Sequence, residues 1–150
     1  MRKRFLSTRA PKATVLIRLA VGAVFLSEGI QKFLFASELG AGRFAKIGLP
    51  SPEILAPLVG SFEVLCGVLV LLGLLTRLAA IPLITIISVA IYSTKFPILA
   101  QSGLWKMAHE ARTDFCMLTG ALLLLIVGAG MWSFDALLSR KMPVRAPKQP

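Results

Sequence analysis

The chain has 150 residues, a length that suits one domain, and 56% of them are hydrophobic, with a mean hydropathy of +0.78. A soluble domain of this size does not supply four apolar runs of membrane-spanning length, so the composition indicates a polytopic membrane protein. The net charge of +10 does not point to nucleic acid, because the basic residues follow tails and loops instead of forming one basic face.

Residues 1–12, MRKRFLSTRAPK, form a basic tail. A basic start followed by an apolar run resembles a signal peptide, but Arg18 interrupts the apolar core and no A-x-A site follows, so cleavage is not expected. The first span is predicted over about 13–35. It carries Arg18, Glu28 and Lys32, and a charge at membrane depth costs about 2.5–3.5 kcal/mol unless it finds a partner. At 100° per residue Arg18, Gly22, Phe25, Gly29 and Lys32 share one helical stripe, with Glu28 at its edge. That face must therefore look at protein or water.

Residues 36–52 are an outer loop, broken by Gly40, Gly42, Gly48, Pro50 and Pro52, with a short interfacial helix around Ser37–Lys46. The second span is predicted over about 53–75; Ala56, Gly60, Glu63 and Gly67 share one face, a spacing that lets another backbone approach closely. Thr76 and Arg77 form a tight turn, which makes spans two and three antiparallel neighbours. The third span, about 78–96, has no charge before Lys95 and is expected to be lipid-facing or purely structural. Residues 97–112 form a second outer loop, partly helical, with Trp105 in the interface. The fourth span, about 113–131, opens with Thr113 and Asp114, and Trp132 marks the far interface. The membrane domain covers 13–135, and the basic, Pro-rich remainder, 136–150, is expected to fray.

Ten Lys and Arg lie in the two tails and at Arg77, against five at Arg43, Lys46, Lys95, Lys106 and Arg112. This excess predicts an inner-membrane protein with both termini cytoplasmic. The fold class is all-α: a transmembrane four-helix bundle with short interfacial helices in the outer loops.

Depth along the spans suggests an outer-half polar pocket. Glu28 and Lys32 lie in the outer half of span one, and Glu63 lies about 15 Å below the outer edge of span two. Asp114 sits close to that edge, with His109, Glu110 and Arg112 just above it. These groups have two readings. In one they are static ion pairs: Glu28 with Lys32 at i,i+4, and Glu63 with Arg18 or Lys32, pinning helix to helix. In the other they form a ligand pocket or proton path, with Glu63 and Glu28 exchanging protons and Arg18, Lys32, Asp114, Arg112 and His109 lining the site. The two cysteines, Cys66 and Cys116, fall at different depths and are expected to be unpaired fillers. There is no CxxC and no metal-ligand spacing, and a single histidine cannot supply two axial haem ligands. No intrinsic cofactor is expected; redox work would need a bound quinone or a partner subunit.

At these residues the chain resembles the DoxX family of small four-span membrane proteins. The matching pieces are RLAVGAVFLSEGIQKF, GLPSP, GSFEVLCGVLVLLGLLTRLAA, HEARTDF and GAGMWSFDALL. The family pattern carries over at Arg18, Gly22, Gly29, Lys32, Glu63, Gly67, Arg77 and Asp114. Relatives often have histidine where this chain has Glu28. The resemblance implies a membrane component of redox systems, either a subunit of a thiosulfate- or quinol-linked oxidoreductase or part of an assembly that handles oxidative and thiol stress. The expected function is thus a quinone- or thiol-linked redox subunit in the lipid bilayer, with redox partner subunits or further copies of itself around it. The alternatives are a non-catalytic anchor for soluble redox enzymes and a small lipid or solute carrier; the lack of an inverted repeat disfavours the carrier.

Overall fold

The computed structural model describes residues 11–141, and all regular secondary structure among them is helical. In chain order the helices are α1 (Thr14–Leu34), α2 (Ala41–Lys46), α3 (Pro52–Leu72), α4 (Thr76–Ser102), α5 (Leu104–Val127) and α6 (Phe134–Lys141). Helices α1, α3 and α4 are long and apolar enough to cross a membrane. The four long helices pack side by side in alternating direction, α1 against α3, α3 against α4, α4 against α5, and α5 back against α1.

Glycines decide how closely α1 and α3 meet. A side-chain carbon on Gly29 would lie 2.8 Å from the Gly60 carbonyl oxygen, and one on Gly67 would lie 2.8 Å from the backbone nitrogen of Leu26 and 3.0 Å from the Gly22 carbonyl. Gly22 thus faces Gly67, and Gly29 faces Gly60. Two backbones in contact at two points a helical heptad apart define an antiparallel pair with little room to slide. The core between the two helix pairs contains Val21, Phe25, Cys66, Val70, Leu83, Ile87, Met117, Ala121 and Leu124. Most of it lies in the half of the bundle where α1 begins and α5 ends.

That same end is closed by two charged side chains. The Arg18 guanidinium, 4% exposed, donates to the carbonyls of Val70 (3.0 Å), Leu71 (2.7 Å), Ala129 (3.2 Å) and Trp132. Val70 and Leu71 are in the last turn of α3, whose carbonyls have no partners within the helix. A cation there also suits the negative end of the helix dipole. Gly73 (φ +66°) ends α3, and Leu75 follows it with φ +50°, a conformation costly for a branched residue. The Asp135 carboxylate holds this turn: it accepts from the backbone N–H of Leu75 (2.7 Å) and of Thr76 (3.1 Å), donors at the start of α4 that have no partner within the helix. Asp135 N–H in turn donates to the Gly73 carbonyl at 2.9 Å.

Several expectations need correction. Residues 97–112 are not a loop: α4 runs through Pro97 to Ser102, α5 starts at Leu104, and only Gly103 separates them. Gly103 has φ +81° and ψ 174°, a backbone state open to glycine, so the chain reverses there and not at the proline. Thr113 and Asp114 accordingly sit inside α5 and do not open it. The turn after α3 is at 73–75, with Thr76 and Arg77 already helical. The interfacial helix is shorter than expected and starts at Ala41. The segment after Trp132 is ordered by Asp135 into α6; the greater part of the two predicted tails, 1–10 and 142–150, lies outside the described residues.

Gly67→Leu should separate α1 from α3 and destabilise the bundle by about 1–3 kcal/mol, the range for overpacking a close contact. Arg18→Met should cost about 3 kcal/mol, since it strands buried carbonyls, and Asp135→Ala about 1–2 kcal/mol, the range for losing a helix cap. Unfolding titrations in mixed micelles would measure all three.

Candidate functional site

The two helix pairs part at the end opposite Arg18 and leave a cavity of about 520 Å³. Its apolar wall includes Val24, Phe25, Val59 and Ile87, and Phe44 of α2 and Ile47 lie over it. This volume falls within the ordinary range for small-molecule sites. Helix α4 contributes residues from Thr85 to Lys95, so it is a wall of the cavity and not a purely lipid-facing helix.

Two ion pairs face each other across this space. On the α1–α3 side the Lys32 ammonium is 2.7 Å from a Glu63 carboxylate oxygen and 3.9 Å from Glu28. The glycine contacts explain why. Lys32 follows Gly29 by one turn and Glu63 follows Gly60 by one turn, so both charges lie on the contact stripe. Because the helices run in opposite directions, the two residues are offset by about 9 Å along the axis. Helical side chains lean toward the helix N-terminus, and the long lysine spans the gap. The Glu63 side chain is 4% exposed and that of Lys32 11%, whereas that of Glu28 is 50% exposed and reaches the surface.

On the α4–α5 side Lys95 pairs with Asp114 at 3.1 Å, with 13% and 24% of their side chains exposed. Glu110 and Arg43 complete the charged lining. Glu110 was placed near this pocket by depth, but Lys95 and Arg43 were not among the residues expected to line it. The signal was present in the sequence: Lys95 is the lone charge of an apolar run, and Asp114 returns at matching depth on the next.

The structure therefore brings Glu28, Lys32, Glu63 and Asp114 to one cavity. It does not bring Arg18, His109 or Arg112 there. Arg18 lies fourteen residues before Lys32 on the same helix, about 21 Å away along its axis. His109 and Arg112 are exposed on α5, and the Arg112 guanidinium donates to the His109 carbonyl within that helix. Cys66 is buried in the core and Cys116 is exposed; both are free thiols.

A buried ion pair seldom stabilises a fold, since desolvation offsets the attraction. Here it puts a hydrogen-bond donor and an acceptor on one wall of the chamber, beside apolar side chains and opposite the Lys95–Asp114 pair. That combination defines a helical membrane protein with a polar site inside its bundle. The chain belongs to the DoxX family, whose profile matches residues 13–95. An uncharacterized membrane protein of Mycobacterium tuberculosis is 49% identical over 144 residues, covering 92% of this chain and 88% of that protein. No solved structure matches the chain. The profile takes in Arg18, Glu28, Lys32, Glu63 and Lys95, and stops before Asp114.

Lys32→Met and Glu63→Leu should each destabilise the bundle by about 3–5 kcal/mol, because each leaves one buried charge without its partner. The double variant should recover most of the combined loss. A double-mutant cycle by denaturant titration in micelles checks the coupling; strict additivity would mean that the two charges do not sense each other.

Proposed function

We propose that this protein is the membrane subunit of a redox complex and takes a quinone headgroup into the cavity. The observation that carries this reading is the Lys32–Glu63 pair, buried at 2.7 Å and facing a partly apolar chamber of about 520 Å³. A quinone ring needs apolar walls for its faces and a donor for each carbonyl oxygen. In this reading the Lys32 ammonium donates to one oxygen. Glu63 holds the proton that the reduced ring takes up, and half-exposed Glu28 exchanges it with water. Asp114, paired with Lys95, keeps the opposite wall polar. Quinone reduction takes up electrons and protons in equal number, and the electrons come from a partner subunit.

This reading includes a topology. In it helix α5 is the fourth crossing: its 24 residues are long enough to span, it packs against α4, and its second half, from Phe115 to Val127, is apolar. Its first half carries Lys106, His109, Glu110 and Arg112 and extends toward water. Both termini are then cytoplasmic, on the side favoured by the Lys and Arg count.

The test is native mass spectrometry of the complex purified in a mild detergent, together with its quinone-dependent turnover. The wild-type complex should carry bound quinone. Lys32→Ala should lose the quinone and the turnover, and Lys32→Met with Glu63→Leu should lose both while keeping the bundle folded. Unchanged turnover in these variants would remove the mechanism. Partner enzymes retained with no quinone in the wild type would instead indicate an anchoring role.

A further inference from the structure

The end of the bundle held by Arg18 and Asp135 has a second groove, of about 570 Å³, which the quinone reading does not use. It lies between the last residue of α3, Leu72, and the segment from Met131 to Leu137, and Lys12 and Ser133 are its polar lining. Helix α6 is attached by its polar side. Asp135 and Ala136 are buried, while Phe134, Leu137 and Leu138 are 50%, 53% and 41% exposed. This apolar face points away from the bundle. Trp132, 63% exposed, stands beside it, and the Lys12 ammonium lies 5.8 Å from the centre of its ring.

Charge at this end is one-sided. Among the described residues the basic side chains at this end are Lys12, Arg18 and Arg77. Six of the seven acids lie between residues 28 and 114, in or near the opposite half. The remaining one, Asp135, is 2% exposed and its oxygens are occupied by the N–H groups of Leu75 and Thr76. No acid among the described residues opposes Lys12 in the groove. A tryptophan, a lysine and an outward apolar helix face at the end of a membrane bundle match the layered chemistry of the bilayer interface.

We infer that this groove binds an anionic phospholipid, with the phosphate on Lys12 and an acyl chain along Leu72, Phe134 and Leu137. The occupant is a lipid and not free phosphate, because the lining offers a single ammonium to the headgroup, the Ser133 hydroxyl being spent on the Gly130 carbonyl, and five large apolar side chains to the remainder. The site is separate from the cavity at Lys32 and stands whether or not quinone binds there.

Trp132 is a built-in reporter. The chain has two tryptophans, and Trp105→Phe removes the other. In that background the full chain is placed in vesicles of phosphatidylcholine and phosphatidylglycerol, with either lipid brominated on its acyl chains. Brominated phosphatidylglycerol should quench Trp132 about fivefold beyond its mole fraction, the enrichment expected of one basic residue at an anionic surface. Lys12→Ala should return quenching to the mole fraction and Lys12→Arg should retain it; Lys12 is exposed, so neither change disturbs the core. Leu137→Ser should weaken quenching by either lipid. Quenching in proportion to mole fraction in the parent protein would overturn the site. So would enrichment that survives Lys12→Ala, which would be general attraction to the basic tails. Loss of quenching on adding inorganic phosphate would show a phosphate site in place of a lipid site.

Discussion

The contact between the backbones of α1 and α3 is the constraint on which the rest of this molecule depends. In a bilayer, apolar side chains gain little by leaving lipid for one another, so helices associate where small residues let backbones approach. Gly22 against Gly67 and Gly29 against Gly60 provide that approach twice. The two contacts fix both the register of the pair and its direction. They also fix the chemistry, because Lys32 and Glu63 each follow a contact glycine by one turn and have nowhere else to put their charges.

The bundle is then tight at one end and open at the other for separate reasons. At the tight end two helix termini meet at the Gly73–Leu75 turn, and each brings unsatisfied backbone groups. Arg18 answers the carbonyls of α3 and Asp135 the N–H groups of α4. Each residue comes from an element distant in sequence, so closing the turn also joins α1 and α6 to the bundle. At the open end no side chain of comparable size fills the space between the pairs. Leu83, Ala121 and Leu124 give way, toward that end, to Lys95, Glu110 and Asp114. A cavity results where polar groups replace the side chains that would have interdigitated.

The helical class and the shared face of Arg18, Gly22, Phe25, Gly29 and Lys32 were legible in the sequence, because a 3.6-residue period and a length criterion suffice for them. The partner of Glu63 was legible as one of two options, Arg18 or Lys32, and depth alone did not choose between them. What chose was the fate of Arg18, which depends on carbonyls at residues 70, 71, 129 and 132, fifty and more positions away. Those acceptors are backbone atoms and leave no mark in a list of side chains. Asp135 was hidden for a similar reason: its partners are the N–H groups of a turn. The hairpin at Gly103 was misjudged because Pro97 and the polar residues after it look like a loop. In a membrane protein a proline need not end a helix, and polar residues describe where a helix leaves lipid as readily as where it stops.

The distribution of charge now has a physical sense beyond topology. At the cavity Lys32 lies within reach of two carboxylates, so a ligand anion there would meet net negative charge as well as the cost of leaving water. A neutral molecule with carbonyl oxygens meets neither penalty, since it can accept from the ammonium without displacing a carboxylate. At the other end the one acid is buried against backbone N–H groups, and the accessible side chains are basic, aromatic or aliphatic. On the two proposals above, that end takes an anion and the cavity a neutral molecule. One chain thereby presents two environments of different charge, near opposite ends of α1, and the difference follows from where the backbone needed each charge.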